Sequence, residues 1–160
     1  MSNFNIRKAT PVDTPIILHL ITQLAIYEKL EHEVVTSVEE LRENIFEKKH
    51  AEVIIAEENG KPVGFALYFY NFSTFLGKPG LYLEDLFVEP ECRGKGYGKA
   101  LLIALAKIAK EKNCGRMEWS VLDWNTPSIE FYKALGAKPM DEWTVFRLTK
   151  EGIDNLSNEL

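Results

Sequence analysis

The chain has 160 residues, 46% of them hydrophobic, enough for one substantial core and too few for two ordinary domains, so a single domain over residues 1–160 is expected. With 19 basic against 24 acidic residues the formal net charge is -5, which argues against nucleic acid as the main partner and suits a cationic one. Cys92 and Cys114 show no C-x-x-C spacing, so neither a disulfide scaffold nor a zinc site is indicated, and "IILHLITQLAIY" is too short and too polar to span a bilayer. "MSNFNIRKAT" lacks the apolar core of a signal peptide, and a reduced, cytoplasmic setting without a membrane partner is the expectation.

In chain order, "FNIRKA" predicts a short strand. Thr10-Pro11 or Asp13 can open a helix whose apolar positions Ile17, Leu20, Ile21, Leu24 and Tyr27 recur at helical spacing. "TSVEELRENIFEKK" predicts a second helix, capped by Thr36 or Ser37 and carrying Val38, Leu41, Ile45 and Phe46 on one side. "AEVIIAEENGKPVGFALYFYNF" predicts a hairpin turning at Asn59-Gly60, and after a breaker-rich loop "STFLGKPG" the strand "LYLEDLFV" follows. A glycine-rich loop then leads from about Gly98 into a helix with Leu101, Leu102, Leu105, Ile108 and Ala109 in period. "RMEWSVLDW" predicts a strand. "TPSIEFYKALG" predicts a short helix with Thr126 as N-cap, Pro127 at its first helical position and Gly136 just past its end, and "EWTVFRLT" predicts a last strand. The order describes a mixed α/β fold, its sheet mostly antiparallel and flanked by helices.

The loop between strand and helix, Arg93-Gly94-Lys95-Gly96-Tyr97-Gly98-Lys99, carries the first chemical signal. It is not a Walker A loop, because Arg93 stands where the first glycine belongs and Ala100 where the magnesium-binding hydroxyl belongs. Nor is it a dinucleotide fingerprint, whose third glycine would fall on Lys99. Alternating glycines before a helix N-terminus still let backbone N–H groups converge on an anion, with the helix dipole and Arg93 adding positive charge.

The pattern [QR]-x-x-G-x-[GA], read here from Arg93 to Gly98, resembles the signature of the GNAT superfamily of N-acetyltransferases. A second pattern, N-x-x-[SA]-x-x-x-Y-x-x-x-G, is matched by Asn125, Ser128, Tyr132 and Gly136. The stretches "YLEDLFV", "NFNIRKAT", "LAIYEKLE" and "NTPSIEFYKALGA" are similar to those of the diamine acetyltransferase (spermidine/spermine N-acetyltransferase) family over nearly the whole chain. The resemblance implies the GNAT acyl-CoA N-acyltransferase fold, acetyl-CoA as cosubstrate and a homodimer. It implies cofactor contacts along Leu86, Phe87 and Val88, along Arg93, Gly94, Lys95, Gly96, Tyr97, Gly98 and Lys99, and along Asn125, Thr126, Pro127 and Ser128. Tyr132 would be the proton donor, and Tyr27, Glu28, Glu84, Glu118, Trp119 and Ser120 would face the amine. Phe75 stands where that family has a tryptophan, the neighbouring loop is a residue longer near Pro79-Gly80, and Leu135 replaces a basic residue.

The residues themselves fit that chemistry. An alkyl ammonium with a pKa of about 10.4 is neutral in about one molecule in 10³ at pH 7, so attack on a thioester needs a proton acceptor. Glu84 and Asp85 lie in an apolar strand before the loop, and strand alternation allows at most one of them to face a site; the resemblance selects Glu84. Read alone, Glu84 is equally a solvated or lysine-paired carboxylate. Tyr132, protonated at pH 7, can supply the leaving thiolate with a proton, although with Ile129 and Leu135 it also forms an apolar helix stripe. A backbone N–H near Leu86 could meet the oxyanion if the strand diverges there from its neighbour. Glu28, Glu31 and Glu33 read as a solvated face that only the resemblance turns into substrate contacts, and His19, His32 and His50 lack metal-ligand spacing. The expected activity is acetyl transfer from acetyl-CoA to a small di- or polyamine by direct attack in a ternary complex. Acetylation of a lysine analogue or other amino-acid amine, or CoA binding without turnover, are the alternatives.

Overall fold

The computed structural model describes residues 3–159 and forms two compact units, one ending at Ser120 and one beginning at Val121. In the first, β1 (Phe4–Lys8) leads through a 3-10 turn at Pro11–Asp13 into α1 (Thr14–Tyr27), then α2 (Val38–Arg42), which continues as a wider π turn over Glu43–Glu47. Strands β2 (Glu52–Glu58), β3 (Lys61–Ser73) and β4 (Lys78–Val88), helix α3 (Tyr97–Glu111) and β5 (Arg116–Trp119) complete it. The strands lie in the order β1-β2-β3-β4-β5, every neighbouring pair antiparallel except β4 with β5. The second unit holds α4 (Thr126–Ala134) and α5 (Lys150–Ser157).

The apolar periods do what their spacing predicts. Ile17, Leu20 and Leu24 of α1 are buried against Val53 and Ile55 of β2, Phe65 and Leu67 of β3 and Phe87 of β4, with Ile45 closing the cluster from the π turn. Leu101 and Leu105 of α3 are fully buried. Asn59 and Gly60 both take positive φ (53° and 78°), giving the tight turn that alternation around an Asn-Gly pair demands. Ser37 caps α2 by accepting from the Glu40 N–H at 3.1 Å.

One irregularity in β4 sets the geometry of everything downstream. Leu67 of β3 faces Asp85, yet the next residue, Tyr68, faces Leu83, so Glu84 is an extra residue in the ladder, a β-bulge. Register partners share a face, which puts Leu81 and Leu83 with Tyr70 and Tyr68, and Asp85 and Phe87 with Leu67 and Phe65. Strict alternation would have kept Leu81, Leu83, Asp85 and Phe87 on one side. The bulge transfers Asp85 and Phe87 to the α1 side.

Three expectations need correction. Residues 142–149 form no strand: Trp143, Val145 and Phe146 are exposed, and among the described residues the second unit has no strand that could complete a ladder with them. Helix α5 follows them. The cap of α4 is Asn125, whose Oδ1 accepts from the Ser128 N–H at 3.4 Å, so Thr126 is the first helical residue; Gly136 does follow the helix, with φ of 94°. The expected strand 116–124 is ordered as one only to Trp119.

The turn from β1 into α1 is fixed by a part-buried ionic knot. Arg7 donates to both carboxylate oxygens of Asp13 (2.8 and 2.9 Å) and to Glu57 (3.0 Å), and Asp13 also accepts from the Thr10 N–H at 2.7 Å. Hydrogen bonding from Arg7 holds the Asp13 carboxyl down at about 2. A carboxyl depressed below its unfolded value stabilises the fold above that value, near 3.8, and the contribution disappears as pH falls towards 2. Asp13→Asn should therefore cost about 2 kcal/mol in urea unfolding at pH 7. The difference from the parent protein should shrink steadily below about pH 4.

Candidate active site

The end of β4 and the loop after it form a cradle. Gly94 and Gly96 adopt left-handed φ values of 80° and 83°, and Gly96 is the residue from which α3 starts. No side chain caps this helix end. A Cβ added at Gly94 or Gly96 would meet nothing within 4 Å, and one at Gly98 only Val88 Cγ2 at 4.0 Å. The protein thus leaves space over the loop that its own side chains do not use. Main-chain N–H groups at an uncapped helix end beside open space suit a bound phosphate.

Arg93 is tied down beside this loop. Its Nε donates to the Val88 carbonyl at 3.0 Å, and its guanidinium lies 4.8 Å from the Tyr27 ring centre and 5.4 Å from that of Phe87. Three residues expected in separate roles, Tyr27, Phe87 and Arg93, therefore meet. Phe87 is buried in the core beside α1, so only its main chain is available to a ligand. Tyr97 is buried and stacked on Phe4, and Lys95 pairs with Glu58. Lys99 is exposed on the first turn of α3.

On the α1 side of the sheet lies a cavity of about 310 Å³, walled by apolar residues including Ile21, Leu24 and Val34 and carrying the carboxylates of Glu28, Glu33 and Asp85. Burial, followed by repulsion from Glu84 and then Glu28, pushes the Asp85 carboxyl up to about 7. Burial, then Glu84, also raises Glu28. Glu84 itself is exposed at the bulge. Sequence alternation passed over Asp85 because it allowed only one of the two adjacent carboxylates a role; the bulge couples both to Glu28. An apolar cavity with crowded carboxylates suits a cation on an alkyl stem in both charge and polarity.

Pairing between β4 and β5 runs from Gly80 opposite Arg116 to Leu83 opposite Trp119 and stops. From Glu84 to Val88 the β5-side edge of β4 has no strand partner among the described residues, because β5 ends at Trp119. At the end of β5, Glu118 is paired with Arg116 at 3.2 Å, and the Ser120 hydroxyl lies 3.0 Å from that of Tyr82, a polar contact the sequence reading missed. Trp119 is half-buried.

In the second unit, Asn125 is buried at the cap of α4, Thr126 and Pro127 are exposed in its first turn, and Ser128 follows. Tyr132 is half-buried, its ring 5.6 Å from that of Phe131.

A five-stranded sheet with flanking helices, whose bulged strand runs into a glycine loop and a helix N-terminus, is the acyl-CoA N-acyltransferase fold. The chain belongs to the acetyltransferase (GNAT) family, whose sequence profile matches residues 19–137. It is 39% identical to a thialysine N-epsilon-acetyltransferase of Bos taurus over 96% of this chain and 97% of that protein. It is 35% identical to spermidine/spermine N(1)-acetyltransferase-like protein 1 of Homo sapiens, over 99% of this chain and 24% of that protein. Among solved structures, an integron cassette protein from the mobile metagenome of V. cholerae superposes with a TM-score of 0.82 at 28% identity, over 98% of each chain. The protein is thus an amine N-acetyltransferase that uses acetyl-CoA. No helix among the described residues is long and apolar enough to cross a membrane.

The crowding of Asp85 has a measurable cost. A carboxyl raised above its unfolded value of 3.8 keeps its proton when folded, so the folded state loses relative stability as pH rises from there to about 7. Asp85→Asn should match the parent protein near pH 4 and exceed it at pH 8 by on the order of 2–4 kcal/mol in urea unfolding. Equal stability at both pH values would mean that the carboxyl is not crowded.

Proposed function

We propose that the protein acetylates the terminal primary amine of a small aliphatic di- or polyamine, by direct attack in a ternary complex. The observation that carries this reading is the cavity beside α1, whose charged lining consists of the carboxylates Glu28, Glu33 and Asp85. A substrate with one ammonium to react and another to be held matches it in charge. Acetyl-CoA supplies the activated acetyl group. Gly94, Gly96 and Gly98 with Lys99 would hold its pyrophosphate through main-chain N–H groups, and Asn125 to Ser128 would complete the cofactor contacts.

Asp85, ionising near neutral pH, is suited to accept the proton that the ammonium must lose, with Glu84 holding charge beside it. A main-chain N–H near Leu86 would donate to the carbonyl oxygen as charge builds there. Tyr132 would return a proton to the departing sulfur. Glu118, Trp119 and Ser120 would border the amine, and Tyr27 would do so from the end of α1. We also assign the active form as a homodimer, which rests on the family resemblance, in the cytoplasm, which rests on two cysteines without C-x-x-C spacing.

A second reading is favoured by the similarity to thialysine N-epsilon-acetyltransferases: the acceptor would be a lysine analogue, whose terminal amine enters the same cavity. The two differ at the far end of the substrate, where one carries a cation and the other a carboxylate as well. Rates of thiol release with spermidine, a simple diamine, thialysine, ornithine and a monoamine would separate them. The first reading expects diamines to lead, and Glu28→Gln to raise KM for a diamine well above its effect on a monoamine. Thialysine as the best substrate, with KM insensitive to Glu28→Gln, selects the second.

For the chemical step, Tyr132→Phe should lower kcat by about 10² to 10⁴ with little change in melting temperature. A near-normal kcat at saturating substrates would return Tyr132 to a packing role.

A further inference from the structure

The loop contains a lysine that its own fold has already engaged. Lys95 Nζ lies 3.0 Å from Glu58 Oε2 and 5.9 Å from the centre of the Tyr97 ring. The Tyr97 hydroxyl donates to that same Glu58 oxygen. Tyr97 is the first residue of α3 and is buried, its ring stacked on Phe4 of β1 at 4.0 Å and 9°. Phe4 is in turn the register partner of Glu58 across β1 and β2. A carboxylate at the end of β2, in the sheet, therefore receives one donor from the second left-handed turn of the loop and one from the helix start immediately after it.

We propose that Glu58 is the positioning residue of the phosphate loop, and that Lys95 serves to neutralise Glu58 and binds no phosphate itself. This rests on the reading that the loop holds the CoA pyrophosphate. Two steps lead to it. Gly94 and Gly96 give the loop its left-handed turns at the expense of rigidity, because glycine has more backbone freedom to lose than any other residue. Something outside the loop must then fix it, and the two contacts to Glu58 flank Gly96 on either side. The second step is electrostatic. A bare carboxylate next to a site for a dianion would repel it, and an adjacent cation removes that penalty. Lys95 and the Tyr97 hydroxyl together occupy one oxygen of Glu58, which makes the local charge close to neutral and leaves attraction to the helix end and the main-chain N–H groups. A lysine that bound phosphate directly would have to abandon Glu58 and expose the cradle to its charge.

The two roles for Lys95 predict opposite results in a double-mutant cycle read by CoA affinity in titration calorimetry and by KM for acetyl-CoA. If Lys95 neutralises Glu58, Lys95→Ala weakens CoA binding about 10-fold, Glu58→Gln, which keeps an acceptor for Tyr97, leaves affinity within about 2-fold, and the double variant returns to within about 3-fold of the parent protein. In each case kcat and the KM for the amine should stay near the parent values, and Lys95→Arg should bind CoA normally. Equal losses on removing Lys95 in the Glu58 and Gln backgrounds would overturn the proposal and make Lys95 a direct phosphate ligand. So would a Lys95→Ala protein with unchanged affinity. Gly96→Val, with Gly94→Val beside it and melting temperatures recorded for both, separates this from failure of the loop reading. If a folded glycine variant binds CoA as well as the parent protein, the loop is not the pyrophosphate site; if it binds weakly while the Lys95 losses are equal, the loop reading stands and only the role of Lys95 changes.

Discussion

The extra residue at Glu84 is the constraint on which the rest depends. A strand with apolar residues at Leu81, Leu83 and Phe87 would, with unbroken alternation, spend all of them and Asp85 on one face of the sheet. Because Glu84 is unmatched, the first two face one way and Phe87 the other, so β4 contributes to the packing on both sides. The same change of face carries Asp85 into the cavity next to Glu28. The strand then has no neighbour on its β5 side from Glu84 to Val88. Core, carboxylate cavity and open strand edge thus follow from one backbone irregularity, which is why a bulge beside a site is a feature and not a defect.

Around it the fold supplies fixed points. The Arg7, Asp13 and Glu57 knot joins the sheet to the start of α1, whose other end carries Tyr27 and leads into Glu28. Leu20, only 1% exposed, and Ile17, fully buried, hold that helix to β2 and β3, and truncating either would cost about 2–5 kcal/mol. At the opposite side of the site the position of α3 is set by its own buried Leu101 and Leu105 and by Tyr97. The loop between β4 and α3 is short and rich in glycine, so it inherits its shape from these two anchored ends and from Glu58.

Much of this was legible in the residues. Helical spacing found α1, α2, α3 and α4, Asn-Gly found the β2 to β3 turn, and alternating glycines found the cradle, because each rests on a local preference that the chain expresses wherever it occurs. Asp85 was not legible as a cavity residue, since period-2 reasoning has no means to see an inserted residue and a bulge is a property of two strands. Residues 142–149 misled for a related reason: Trp143, Val145 and Phe146 have the composition of a strand, but a strand exists only where a neighbour completes its ladder. The pairing of Lys95 with Glu58 spans 37 positions and could be found only in three dimensions. Tyr132 and Asn125 stood out through a motif, which names residues without describing their surroundings.

The crowded carboxylates beside α1 have one more consequence, best put in terms of exchange. A group that ionises near pH 7 in an apolar cavity holds either a proton or a neighbouring positive charge, and the two compete. For a cationic acceptor of the proposed kind, occupancy of the cavity is then a swap of one cation for another. Its heat would depend on the buffer that receives the released proton, and its strength would climb with pH until Asp85 is already bare. The cavity would bind its ligand and sense the acidity of its surroundings through the same Asp85 carboxyl.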